Sequence, residues 1–217
     1  MKKILAIVTS APLVLAAQSA LAAPLSGPYV GVEGSHDAYE VKAQNLDFGP
    51  YTISADGLSG NGIAGGIYAG YDLPVSSAAF VGVEAGFNYS GAAISASATN
   101  GANTLSASVK ARETYSISAR LGFKPAASTG LYAKLGYANT RFKTTAYANT
   151  TELFADSRSK GAFVYGGGIE TSLTDKVSVR AEFTVADYGS AGLDQDLGVN
   201  GIKVSNSKTS VGVSYRF

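Results

Sequence analysis

Phe80-Val81-Gly82-Val83-Glu84-Ala85-Gly86-Phe87-Asn88-Tyr89-Ser90-Gly91 decides the fold. Val81, Val83, Ala85, Phe87 and Tyr89 form one set; Phe80, Gly82, Glu84, Gly86, Asn88 and Ser90 form the other. Alternation with period two belongs to a strand whose two faces meet different surroundings. The pattern recurs to either side. In 109–124, Tyr115, Ile117, Ala119, Leu121 and Phe123 share a face opposite Lys110, Arg112, Thr114, Ser116, Ser118, Arg120 and Gly122. In 177–186, Val177, Val179, Ala181, Phe183 and Val185 oppose Ser178, Arg180, Glu182 and Thr184.

Extended over the chain, this reading gives eight strands, at 28–40, 60–72, 78–91, 109–124, 130–142, 161–173, 176–187 and 205–217. Most exceed the ~9–11 residues a tilted strand needs to cross a bilayer. The connections alternate in kind. Those at 73–77, 125–129 and 174–175 are short, whereas 41–59, 92–108, 143–160 and 188–204 are long and polar. Short turns at one end and long loops at the other is the plan of a transmembrane barrel with periplasmic turns and extracellular loops. The expected fold is therefore all-β: an eight-stranded antiparallel up-and-down transmembrane barrel.

The glycines say which face is inside. Gly31, Gly66, Gly82, Gly122, Gly136 and Gly212 all fall on the polar face. The interior of an eight-stranded barrel is only just wide enough for side chains to fill it, so small residues are needed there. The polar face is thus the lumen and the apolar face meets lipid. Outward aromatics agree, with Tyr71, Phe123 and Tyr215 near the short turns. Phe87, Tyr89, Tyr115, Tyr137, Phe163 and Tyr165 lie nearer the long loops, as interfacial girdles require.

Met1-Lys2-Lys3, the apolar run from Ile4 to Ala17 and the small residues around Ala20 and Ala22 have the three parts of a secretory signal peptide. Cleavage is placed after Ala22, with Ala23 as the second choice, giving a leader at 1–22 and a barrel domain at 23–217. Losing Lys2 and Lys3 from 17 basic residues leaves 15 against 16 acidic ones, a mature net charge of −1. That balance lacks the basic footprint of a nucleic-acid binder. With no cysteine there is neither a disulfide framework nor thiol chemistry.

The charges on the polar face are the candidate site: Glu33, Glu84, Lys110, Arg112, Arg120, Lys134, Glu170, Arg180, Glu182 and Arg216. An isolated charge in a narrow, dry interior is too costly, so these groups are expected as an ion-pair network filling the lumen. The short turn at Thr174-Asp175 puts Glu170 and Arg180 on neighbouring strands, and a direct bond between them is expected, with Glu182 sharing the guanidinium. His36 is the one histidine. Ser35 and Asp37 beside it in a strand point to the opposite face, so no triad forms locally. Asp187, Asp194 and Asp196 lack the spacing of a calcium loop. Neither a cofactor, a metal site nor a catalytic residue is implied.

The closing stretch Thr209-Ser210-Val211-Gly212-Val213-Ser214-Tyr215-Arg216-Phe217 ends in phenylalanine after alternating apolar residues. It resembles the C-terminal sorting signal of bacterial outer-membrane barrels, with Val211, Val213, Tyr215 and Phe217 as its apolar positions. Together with Gly27-Pro28-Tyr29-Val30-Gly31-Val32, Leu131-Tyr132-Ala133-Lys134-Leu135-Gly136-Tyr137-Ala138 and Val179-Arg180-Ala181-Glu182-Phe183, it is similar to the outer-membrane β-barrel family. That family includes opacity-type and porin-family proteins and is related in fold to the OmpA transmembrane domain. The resemblance implies a bacterial outer-membrane location, with lipid and lipopolysaccharide around the barrel. It also implies barrel assembly machinery and periplasmic chaperones as biogenesis partners. No domain is expected after Phe217. These folds serve several roles, and the reading favoured here is a structural or surface-interaction barrel without catalytic activity. A small-solute diffusion pore and a membrane-embedded hydrolase are the alternatives.

Overall fold

The computed structural model describes residues 25–48, 51–100, 103–189 and 202–217. The leader, Asp194 and Asp196 lie outside them. Nine strands run in chain order: β1 Gly27–Phe48, β2 Tyr51–Pro74, β3 Ala79–Ser90, β4 Ala93–Asn100, β5 Asn103–Ala126, β6 Thr129–Ala148, β7 Thr151–Ser172, β8 Val177–Asp187 and β9 Ile202–Arg216. Apart from β3 and β4, each is antiparallel to its sequence neighbour, and β1 also pairs with β9, from Tyr29↔Arg216 to Ala43↔Ile202. β3 and β4 both pair with β5, one after the other, so they are a single wall strand interrupted at Gly91 and Ala92. With β3 joined to β2 as well, the sheet closes into a ring of eight. Up to the break at Gly91 closure leaves no sheet edge to satisfy, which is what lets strands cross lipid.

The strands are longer than the periodicity indicates. β2 and β5 have 24 residues each, about twice the ~9–11 a crossing needs. The excess is on the long-loop side. Segments read as loops from sequence are paired hairpins here: Phe48 faces Tyr51, Asn100 faces Asn103 and Ala148 faces Thr151. Their polar, small-residue composition hid the pairing, because alternation shows only when the two faces differ in polarity.

The outer wall is apolar. Val32, Ile63, Val83, Ile117, Leu121, Leu135, Phe163 and Val211 are all at least 60% exposed. Phe87 and Tyr115 stack at 5.1 Å and Tyr137 and Phe163 at 5.9 Å near the hairpin end, while Tyr215 and Phe217 meet at 5.3 Å near the turns. The glycines of the inner wall make room for rings. A Cβ on Gly31 would fall inside the Tyr68 ring, and one on Gly122 inside the Phe80 ring.

One irregularity changes a face. The β5–β6 register steps from Ala111↔Phe142 to Thr114↔Thr140, so a bulge carries Arg112 and Glu113 opposite the single residue Arg141. Below the bulge the even residues Ser118 and Arg120 point inward; above it the odd residue Ala111 does. A bulge adds one residue to one strand and thereby shifts the alternation. Lys110 and Arg112 consequently lie on the outer face, which corrects their assignment to the lumen.

Candidate functional site

The site is the lumen, and it is full. Five cations and five carboxylates meet inside, delivered by strands from all round the wall. Arg180 on β8 reaches across to β1 and β3, with Nη2 2.6 Å from Glu33 Oε2 and Nη1 2.5 Å from Glu84 Oε2. Its guanidinium lies over the Tyr68 ring, 3.4 Å from the centroid. Lys134 on β6 bridges Glu84 at 2.7 Å and Glu182 at 3.0 Å. Arg120 on β5 pairs with Glu170 at 2.8 Å and donates to the Tyr29 hydroxyl at 2.5 Å. Arg216 on β9 donates to Asp72 and to Glu170, both at 2.9 Å. Lys208 bonds Glu33 and, at 3.1 Å, Asn88.

Aromatic rings and hydroxyls complete the packing. Arg120 is stacked on Tyr132 at 4.0 Å, and Arg216 on Tyr29 at 4.7 Å. Tyr29 donates to Glu84 and Tyr132 to Glu182, both at 2.9 Å, and Ser178 donates to Glu170 at 2.6 Å. Planar guanidinium groups can satisfy carboxylates in their plane and rings on their faces at the same time, which explains why three of the five cations are arginine.

Of the residues expected here, Glu33, Glu84, Arg120, Lys134, Glu170, Arg180, Glu182 and Arg216 come together in the lumen. Arg112 does not: its guanidinium lies over the outward Tyr89 ring at 4.8 Å. Lys110 is exposed on the outer face. The expected Glu170–Arg180 bond is also replaced. Ser172 faces Ser178, so the hairpin centres on Asp175 and Glu170 stands directly opposite Arg180. Each nevertheless takes its partners from other walls, because long side chains in a narrow lumen reach across it. Glu182 bonds Lys134 and Tyr132 rather than Arg180. Asp72, Lys208 and the inward rings Tyr29, Tyr68 and Tyr132 were not anticipated. Period two puts all five on the inner face, and that signal was available.

Above the ion pairs, an apolar lid closes the hairpin end. Tyr39, Phe142 and Tyr188 contact one another at 5.4–6.3 Å between centroids, packed against Ala92, Ala111, Ala162, Ala186 and Val204. Below, Phe80 and Leu25 are fully buried at the turn end. Between lid and ion pairs lies a cavity of about 70 Å³, bordered by Glu33, Asp37, Asn88, Lys134 and Lys208 among others. That is room for a few waters and no more. His36 is exposed on the outer side, while Ser35 and Asp37 are buried inside, where Asp37 accepts from Ser90 at 2.7 Å.

The sequence matches the outer membrane protein beta-barrel domain family over residues 8–217. The 31 kDa outer-membrane immunogenic protein of Brucella melitensis biotype 1 is 22% identical over 203 residues, covering 88% of this chain and 83% of that one. Among solved structures, Neisserial surface protein A is 16% identical with a TM-score of 0.49, over 88% of this chain and 98% of its own. Ail, the attachment invasion locus protein of Yersinia pestis, is 17% identical with a TM-score of 0.46, over 89% of this chain and 100% of its own. With a closed ring of eight strands and a family match over nearly its whole length, this chain belongs to the outer-membrane β-barrel family and is a protein of the bacterial outer membrane.

Proposed function

We propose that this protein is a non-conducting, non-catalytic barrel that holds its long hairpins at the cell surface for contact with partners. The observation that carries this reading is the packed lumen, with Arg120, Arg180 and Glu170 all under 4% exposed and an apolar lid above them. A solute path would have to break several buried ion pairs at once, and each partner left behind would be an unpaired charge. The isolation of His36 from Ser35 and Asp37 supports a role without hydrolysis. Outside the lumen, the hairpins are backbone-paired to their tips and presented well beyond the aromatic girdle, with Leu153 and Phe154 exposed among polar residues, which suits a contact surface.

Biogenesis fits the same reading. Val211, Val213 and Tyr215 share the outer face of β9, with Phe217 just beyond its end, each at least 40% exposed. They are the proposed assembly signal for the barrel assembly machinery, after a leader at 1–22 has directed export and periplasmic chaperones have carried the chain.

Reconstitution of the purified chain in planar bilayers tests the closed lumen. No stable unitary conductance is expected, and steady channels at low voltage would overturn the reading. The contact role is tested with cells displaying either the full chain or a variant whose 143–157 hairpin is cut to a two-residue turn. Equal adhesion of the two to a panel of matrix- and mucin-coated surfaces would remove it.

A further inference from the structure

Four basic side chains on the outer wall take no part in the lumen. Around the β5–β6 bulge, Ala111, Phe142 and Thr140 face inward, so the residues between them face out. That sets Arg112 and Glu113 opposite Arg141, and in the next outward pair Lys110 directly opposite Lys143. Lys110, Arg141 and Lys143 are exposed, and Arg112 is anchored on Tyr89. Like charges directly opposite across a ladder destabilise it. Among the described residues, no ion pair within 4.0 Å relieves any of these four. Glu113 shares the bulge, and its Oε2 is buried without a hydrogen-bond partner. Four cations against one carboxylate leave a strongly positive patch on a wall that otherwise faces lipid.

Its height is informative. Tyr115, stacked on Phe87, is the next outward ring on the lipid side of the bulge. At ~3.3 Å rise per residue and a tilt of ~35–45°, the patch lies about 5–10 Å above that girdle, where headgroup phosphates sit. Hydroxyls surround it: Ser95 donates to Ser108 at 3.1 Å, and Ser159 and Ser157 stand opposite Arg141 and Lys143.

We propose that Lys110, Arg112, Arg141 and Lys143 bind the phosphate groups of lipopolysaccharide in the outer leaflet, with the neighbouring serines meeting its sugars. The ligand must be a lipid, because the same strands continue downward into the apolar wall at Tyr115 and Ile117. It must be anionic, because a phosphate between Lys110 and Lys143, and another between Arg112 and Arg141, turns two repulsive pairs into bridges. Arg112 supplies a planar fork to a phosphate while its face stays on Tyr89. This site stands apart from the lumen, so a conducting barrel would leave it untouched.

The test is titration of the purified full chain in detergent with bis-phosphorylated lipid A, followed by native mass spectrometry and by the thermal unfolding midpoint. Lipid A is expected to bind and to raise the midpoint of the wild type. At about fivefold per surface charge, the K110S/R141S/K143S variant should bind on the order of a hundredfold more weakly. K176S removes an outward cation at the opposite, turn end, over Tyr215, and should bind like the wild type. Unchanged binding by the triple variant would overturn the site. So would equal binding of dephosphorylated lipid A or of phosphatidylglycerol to the wild type, an arm that needs no variant to fold.

Discussion

Glu170 and Arg180 face each other across the β7–β8 ladder, and each is bonded elsewhere. Arg180 holds Glu33, two strands away on β1, and Glu84 on the far wall, and Glu170 is held by Arg120 and Arg216. Periodicity tells which side of a strand a residue occupies, and turn length tells its nearest neighbour. Neither gives the angle at which a long side chain crosses the lumen, which depends on how far the strands are sheared around the ring. Arg112 was misplaced for a different reason: the bulge that turns it outward has no glycine or proline to announce it. R180M should cost on the order of 3–5 kcal/mol in denaturant unfolding, since Glu33 and Glu84 lose a buried partner. A double-mutant cycle of Arg180 with Glu84 should show coupling above about 0.5 kcal/mol, clearly larger than the cycle of Arg180 with Glu170. Equal coupling in the two cycles would restore the local pair that sequence suggests.

At the scale of strands, apolar contrast made the membrane-crossing segments readable, and its absence hid the hairpins above them. In 143–148 and 151–157 threonine and alanine fall on both faces and the apolar Leu153 and Phe154 are adjacent rather than alternating, so no period shows, yet the backbones pair across a bulge at Leu153. Asn149 closes this hairpin with φ +54°, a left-handed conformation that asparagine and glycine tolerate best. Its Oδ1 also accepts from Thr104 N at 2.7 Å, tying the tip to β5. N149G keeps the left-handed backbone but loses the bond from Thr104 N, at about 0.5–1.5 kcal/mol, whereas N149V loses that bond and strains the backbone too, by a further ~1–2 kcal/mol. Hydrogen exchange is expected to speed up at Thr104 and leave the barrel amides unchanged. On the walls, I117R and V83R should each cost ~2–4 kcal/mol if they sit near the bilayer midplane. The sequence alone suggests a milder cost for arginine at Ser118, on the polar inner face, provided the lumen has room. Ser118 is 7% exposed and packed against Gly136 and the Glu84 carbonyl, so S118R is expected to be no milder. Refolding midpoints in lipid vesicles decide between the two.

For the whole molecule, orientation is the first expectation to check. The chain has no native cysteine, so single cysteines report cleanly. T151C should react with an impermeant reagent on intact cells, and S128C only after the outer membrane is opened; the reverse would invert the barrel. Closure has another consequence. β1 and β9 are neighbours, and Phe217 N donates to Pro28 O at 3.2 Å, so residues 27 and 217 lie side by side at the turn end. A short linker from Phe217 to the residues just before Leu25 could therefore close the chain, and the ring could be reopened at the tight turn around Ala127 with Leu25 and every wall and lumen contact kept. Such a circular permutant would carry every native strand pair but bury the terminal phenylalanine in mid-chain. Refolding in vesicles should then be preserved while insertion in cells fails, which would separate what the last residue contributes as a packed ring from what it contributes as an address.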